Sequence, residues 1–186
     1  MNCMKLLDWI DINKLNWDYL SRNTSDCAIQ LLRENQDNID WGWLSEKIND
    51  GAIKILRENP DEIDWDELSR NDGAIQLLRE NQDKINWGCL SSNPNDGAIQ
   101  LLRENQDKIC WGCLCSNSND GAIQLLIENQ DEICWYELNE LSRNNGAIQL
   151  MRENQDEIEW DDFSKNSNIF IILEILINGL MTNKKN

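Results

Sequence analysis

The run Asn71-Asp-Gly-Ala-Ile-Gln-Leu-Leu-Arg-Glu-Asn-Gln-Asp-Lys-Ile-Asn-Trp87-Gly-Cys-Leu-Ser91 decides the fold, because nearly the whole chain rewrites it with small changes. Its tryptophan recurs at Trp17, Trp41, Trp65, Trp87, Trp111, Trp135 and Trp160, at spacings of 24, 24, 22, 24, 24 and 25 residues. A fixed period in the twenties marks a stacked array, in which each copy is too small to bury its own apolar face and does so against its neighbours. Such arrays present long surfaces more often than catalytic pockets.

Each copy divides into two halves. In the first, Ala98, Leu101 and Leu102, with Ile99 beside them, have the i, i+3, i+4 spacing of one helical face, and Gln100, Arg103 and Glu104 fall largely on the other side. This half predicts a helix A. An Asn follows it every time, at Asn35, Asn59, Asn81, Asn105, Asn129 and Asn154, suited to close one helix and open the next. Two residues on, Asp37, Asp61, Asp83, Asp107, Asp131 and Asp156 put negative charge at a helix start. A helix B is predicted there, carrying Ile109, Trp111 and Leu114. Ile109 and Trp111 are only two apart, so part of helix B is expected to be 3₁₀. Asn23, Asn71, Asn93, Asn117, Asn144 and Asn166, which follow helix B, are expected to cap the next helix A. The longer copies add two residues before helix A, as in Asn93-Pro-Asn-Asp-Gly97, which predicts an exposed loop along one edge.

The expectation is an all-α helical-repeat solenoid of short helix pairs, with about six repeats plus half-units at the ends. It places a single α-solenoid domain over residues 1–181, with an N-terminal half-repeat cap at 1–23, six repeats at 24–165 and a C-terminal apolar helix at 166–181; residues 182–186 form a disordered tail. An extra Trp9 is suited to cover the open N-terminal end. The Trp column, set beside Ile and Leu, reads as core. Ala28, Ala52, Ala74, Ala98, Ala122 and Ala147 form one column of small residues, preceded by Gly51, Gly73, Gly97, Gly121 and Gly146. The recurring Gly predicts close backbone approach or a special dihedral at the loop–helix join, unless it is simply a copied residue that has not diverged.

The string Leu6-Leu-Asp-Trp-Ile10, followed by repeated Leu-Ser-x-Asn-(Pro)-x-Ala-Ile-x-Leu-Leu-x-x-Asn-(Pro/Gln)-Asp-x-Ile-x-Trp, resembles a repeat family found in proteins of giant DNA viruses. The likeness runs from Leu6 to about Phe170; this chain departs from it by usually carrying Gln where the family tends to have Pro, and by its two-residue insertions. It implies a helical solenoid of viral origin and no activity. A more distant likeness, in unit length and pattern alone, is to leucine-rich variant repeats, which alternate α and 3₁₀ helices.

With 34 acidic and 17 basic residues the formal charge is −17. That disfavours nucleic acid, whose sequence-independent binding rests on Lys and Arg, and anionic membranes. No run reaches the roughly 18–20 apolar residues of a membrane span. No signal peptide is visible, and the seven cysteines read as reduced thiols, so a cytoplasmic location is expected: host cytoplasm or virion for a viral protein. There is no His, which removes Ser-His and Cys-His nucleophile pairs. Neither an enzyme nor a cofactor is expected.

Three features remain as candidate sites. Cys110, Cys113 and Cys115 are the one metal-like cluster, with Cys89 or Cys134 able to complete a zinc tetrahedron; yet these cysteines share repeat columns, and copying alone would generate them. The position two residues after each Trp varies as Tyr19, Trp43, Glu67, Cys89, Cys113, Glu137 and Asp162, where a purely structural column would stay uniform. Tyr19, Trp43, Glu67 and Glu137 are therefore candidate partner-binding residues, with Arg22, Glu46, Arg70 and Arg143 beside them. The Arg column, Arg33, Arg57, Arg79, Arg103 and Arg152, resembles a strip but is expected to be a solvated face with local ion pairs. Finally, Ile171, Ile175 and Leu176 leave the last helix apolar on nearly every face, which suits a homodimer or a docked protein. A protein-interaction scaffold is the function expected. The alternatives are an acidic decoy for basic nucleic-acid-binding proteins and a zinc or thiol module.

Overall fold

A computed structural model describes residues 6–133, 135, 148–158 and 160–164. The chain is an all-α helical repeat, without a strand among the described residues. It divides into two compact units, Met1–Asn93 and Pro94–Asn186. The expected C-terminal helix at 166–181 and tail at 182–186 lie outside the described residues.

Most of the described repeats have three pieces rather than the two expected; in the 22-residue copy the 3₁₀ turn, Asp72–Ala74, instead opens the long helix, Ile75–Glu80. A nine-residue α-helix such as Asp50–Glu58 is followed by a three-residue 3₁₀ turn, Pro60–Glu62, and then by a separate short α-helix, Trp65–Arg70. The same order appears in the second unit as Asp96–Glu104, Gln106–Lys108 and Trp111–Cys115. The break between turn and short helix is two extended residues: Ile63 and Asp64 have ψ of 125° and 99°, Ile109 and Cys110 of 128° and 94°. This accounts for the two-residue offset between Ile109 and Trp111. The β-branched Ile suits extended backbone, and the residue after it serves as N-cap of the short helix.

The Asn after each long helix closes it through its side chain. Asn35, Asn59, Asn81, Asn105, Asn129 and Asn154 each donate Nδ2–H to the carbonyl four residues back, at 2.8–2.9 Å. None adopts a positive φ, so none closes its helix in the left-handed conformation that Asn tolerates. Nor does the Asn side chain cap the 3₁₀ turn that follows.

In the first unit the short helices Trp17–Ser21, Trp41–Ser45, Trp65–Arg70 and Trp87–Ser91 pack on one another in chain order, and the long helix Asp26–Glu34 packs on Asp50–Glu58. Each of the first three short helices also packs on the long helix that follows it. The core is columnar. Leu32, Leu56 and Leu78 on the long helices and Leu44, Leu68 and Leu90 on the short ones are fully buried, with Ile39, Ile63 and Ile85 nearly so. In the second unit Leu101, Leu102, Leu125 and Leu126 fill the same role as Asp96–Glu104 packs on Asp120–Glu128. A buried Leu contributes about 1.5–3 kcal/mol. The tryptophans are not core, as the sequence suggested. In the described short helices they occupy the first turn; Trp17 to Trp135 are half-buried, and Trp160 is 54% exposed. The side chains that fill the interior are the Ile two residues before and the Leu three residues after. Trp9 does not cover the N-terminal end either; it is 81% exposed.

Buried polar side chains bridge neighbouring repeats. Ser21, Ser45 and Ser69 have no solvent exposure. Their Oγ atoms accept the backbone N–H of Asp40, Asp64 and Asn86 in the next repeat, at 3.0–3.1 Å. Asn71 Nδ2 donates to the carbonyls of Ser45 and Lys47, both at 2.8 Å, while its Oδ1 accepts the Gly73 N–H. Asn93 Nδ2 repeats the first of these bonds on Ser69 O.

The helix caps therefore differ from the expectation in the longer repeats. Ser25, Asn49, Asn95 and Asn119 are the N-caps of the long helices, not Asn23, Asn93 and Asn117 two residues earlier. Asn49 and Asn119 also reach back to the carbonyls of Thr24 and Pro94. In the 22-residue copy, Asn71 combines the roles that longer copies divide between two residues. The two added residues lie between the short helix and the next long helix, as expected.

The glycine column records close approach. A Cβ on Gly51 would lie 2.7 Å from Ile29 Cγ2, and one on Gly121 would lie 3.0 Å from Ile99 Cγ2, each Ile coming from the long helix one repeat earlier. At Gly73 the neighbour is Ile48 Cγ2, at 3.2 Å.

These contacts set two expectations for stability. Gly51→Ala should destabilise by about 1–3 kcal/mol through overpacking, although Ala is the better helix former. Gly42→Ala meets only ordinary contacts at 3.4 and 3.7 Å and should be neutral or gain up to ~1 kcal/mol. Urea unfolding of the two variants should move the midpoint in opposite directions or move only that of Gly51→Ala. Asn71→Ala strands a buried carbonyl acceptor and should cost about 1–3 kcal/mol for that group alone, read as a lower melting temperature.

Candidate interaction surface

The variable column has a defined place in the fold. Tyr19, Trp43, Glu67, Cys89 and Cys113 are each the third residue of a short helix, and each backbone N–H is held by the N-cap side chain of Asn16, Asp40, Asp64, Asn86 or Cys110. The amide carries the structural requirement, so the side chain is left to vary. Exposure falls along the first unit: Tyr19 is 69% exposed, Trp43 and Glu67 are half-buried, and Cys89 is 7% exposed. Glu137, Ile171, Ile175 and Leu176 lie outside the described residues, as does the side chain of Asp162.

The residues three positions further along the chain couple this column across repeats. The Arg22 guanidinium carbon stands 3.4 Å from the centre of the Trp43 ring and 5.8 Å from that of Tyr19, so the cation lies against an aromatic of its own helix and one of the next. A cation over Trp at an accessible site contributes about 0.5–1 kcal/mol. Arg70 makes the corresponding step with different chemistry. It lies 3.5 Å from Glu67 and also reaches Cys89 of the next repeat. Burial pushes the Cys89 thiol up, with Arg70 opposing and Asp66 and Glu67 adding to the rise. Cys89 is thus a filler of the column and not a nucleophile. Glu46 faces Lys47 instead, at 3.7 Å. The sequence singled out these positions by their variability; it held no signal that Arg22 and Trp43 would stack, because the contact joins residues 21 apart in the chain.

The arginine column is an inter-repeat ladder, where local pairs were expected. Arg33 pairs with Glu58 and Arg57 with Glu80, each at 2.5 Å, and Arg103 pairs with Glu128 at 3.0 Å. Gln30, Gln76, Gln100 and Gln124 hold Glu34, Glu80, Glu104 and Glu128 from one turn earlier. The length of the Arg side chain suits it to span adjacent helices, which the one-dimensional spacing to the nearest acid could not show. Arg57 and then Gln76 hold the Glu80 carboxyl below its ordinary range; Gln124 and then Arg103 do so for Glu128.

The metal-like cluster is split by the fold. Cys110 and Cys113 are joined as a disulfide, with Cα atoms 5.2 Å apart, where the sequence suggested reduced thiols. They occupy the N-cap and third position of one short helix, which face each other across its first turn. Cys115 is buried in the column held by Ser21, Ser45, Ser69 and Ser91 elsewhere. Among the described residues no group of three or more His, Cys, Asp or Glu is placed to hold a metal ion. Among them, too, no helix is long and apolar enough to cross a membrane.

No family model, curated protein or solved structure matches the chain.

The ladder sets a pH dependence. A carboxyl whose value is lowered on folding adds stability that is complete above its ordinary value near 4.5 and is lost as pH falls through the lowered one. Glu80→Gln should therefore flatten the acid side of the urea-midpoint profile below that value while changing the neutral side little, since exposed pairs are weak. Superimposable acid limbs for the two proteins would show that the Arg57–Glu80 contact adds nothing.

Proposed function

We propose that this chain is a non-enzymatic protein-interaction scaffold whose binding strip runs along the third positions of its short helices, strongest at Tyr19, Arg22 and Trp43. The observation that carries the reading is the contrast between columns. Leu, Ile, Ala, Ser and Asn positions that fill or bridge the core are nearly uniform from copy to copy. The half-exposed column beside them changes from aromatic to acidic to cysteine. Uniform columns maintain stacking; a varied, accessible one gives each repeat a different contact. An exposed Tyr and a half-buried Trp flanking an Arg have the composition that dominates binding energy in protein interfaces. The resemblance to giant-virus repeat proteins supports a viral scaffold acting in the host cytoplasm or virion.

A second reading, an acidic decoy for basic nucleic-acid-binding proteins, is favoured by the charge of −17 and by the exposed Asp37, Asp61, Asp83 and Asp107 on successive turns. The two readings respond differently to salt. Long-range attraction between exposed charges is screened within about 8 Å at physiological ionic strength, whereas aromatic contacts persist.

The test is affinity capture with the full chain and with a Tyr19→Ala/Trp43→Ala variant, both first checked for equal helicity and melting temperature. Loss of each residue is expected to weaken binding about tenfold or more, so partners should be held by the parent at elevated salt and lost with the variant. Partners retained equally by both proteins, or released from both by salt alone, would overturn the strip.

A further inference from the structure

We propose that Cys110 and Cys113 form a thiol–disulfide exchange site, with Cys110 as the attacking sulfur and Cys113 as the resolving one. Cys113 lies on the same column as the proposed strip, but exchange at this pair does not depend on partner binding there.

The argument begins with the position Cys110 fills. In the other repeats whose cap is described it belongs to Asn16, Asp40, Asp64 or Asn86, whose side-chain oxygen accepts the N–H of the third helical residue at 2.9–3.1 Å. Two of these four occupants are carboxylates, so the position tolerates negative charge. Cys110 Sγ takes the same bond, accepting the Cys113 N–H at 3.3 Å. A thiolate at Cys110 would be held as the Asp40 and Asp64 carboxylates are, and a sulfur in that state is the attacking species in exchange.

The resolving sulfur is already in place. With Cα atoms 5.2 Å apart, within the usual span of about 4.4–6.8 Å for a disulfide, the two residues can be bonded without moving the backbone. Both oxidation states therefore suit the same helix start: the reduced one with Cys110 as cap, the oxidised one with the two positions joined. Access separates this pair from Cys89 and Cys115, and the nearby second sulfur separates it from Cys27, which is exposed but free. Cys110 and Cys113 are half-exposed, whereas Cys89 and Cys115 are buried. Cys89 matches Cys113 in the repeat but faces Asn86, so it has no second sulfur at the cap.

The chemistry balances with an external disulfide, R–S–S–R, as oxidant. The Cys110 thiolate attacks one sulfur, forming Cys110–S–S–R and releasing R–S⁻. Cys113 loses its proton to solvent and attacks Cys110 Sγ, expelling the second R–S⁻. The protein dithiol gives up two electrons and two protons, and the external disulfide becomes two thiols. Reduction is the reverse, with an external thiol attacking.

Glutathione disulfide is the probe. The full chain is reduced, freed of reductant, exposed to glutathione disulfide and then alkylated. Cleavage after glutamate releases residues 105–128, which contain Cys110, Cys113 and Cys115 and no other cysteine. In the parent this peptide should lose two alkylatable thiols and retain no glutathione. Cys113→Ser, or Cys113→Ala if the former folds poorly, should instead keep one glutathione on Cys110. Cys110→Asp restores the cap of the Asp repeats, so it should keep its helicity; its Cys113 should stay alkylatable, reacting at least tenfold more slowly. A Cys110→Asp protein modified at Cys113 as fast as the parent closes would overturn the proposal. So would Cys113 variants that take up no glutathione, or a parent peptide that retains it.

Discussion

The short helices that start at Trp41, Trp65 and Trp87 each follow a backbone amide that their own repeat leaves unsatisfied. The N–H groups of Asp40, Asp64 and Asn86 sit at an extended break, where no intrahelical acceptor is available, and each is taken by a buried serine hydroxyl of the repeat before. Burying such a group unpaired costs about 1–3 kcal/mol, comparable to the gain from burying one Leu, so these copies of the repeat are incomplete without their predecessors. The hydrophobic columns supply most of the favourable energy of packing, but they are tolerant of slippage. The hydroxyl–amide bonds and the Asn71 and Asn93 side-chain bridges fix the register at which Leu meets Leu.

That register explains why the small residues recur. Once the short helices are held by the serines, the start of each long helix is drawn against an Ile of the preceding one, and Gly51 and Gly121 leave no space for a methyl group. The same register leaves the third residue of the short helix without a core duty, because only its amide is required by the cap. Variation collects where the fold demands backbone and not side chain. The proposed strip and the proposed redox pair both occupy that first turn, the strip through its third position and the pair through its cap and third position together.

Much of this was legible in the sequence. The period, the all-α class, the long helix on its Ala, Ile and Leu positions, the 3₁₀ element and the exposed two-residue insertions follow from spacing and local propensity. Where the reading failed, a local signal had more than one physical use. Asn caps, bridges and closes helices with the same amide, so the cap of the longer repeats was placed two residues early. Trp beside Ile and Leu resembles core, yet the extended pair before it turns the ring to the half-exposed side. Arg followed by Glu suggests a local pair, but the Arg side chain can equally span to the next helix, and does.

The sequence by itself determined that copies of one short helical unit recur and which of their residues are apolar, because periodicity is a one-dimensional property. Only the tertiary structure decided what joins across copies: serine to the next backbone amide, Arg33 to Glu58, Arg22 to Trp43. It also decided that Cys110 meets Cys113 in a position elsewhere filled by Asp. These contacts depend on the separation and rotation of neighbouring helices, which no spacing within a single copy specifies.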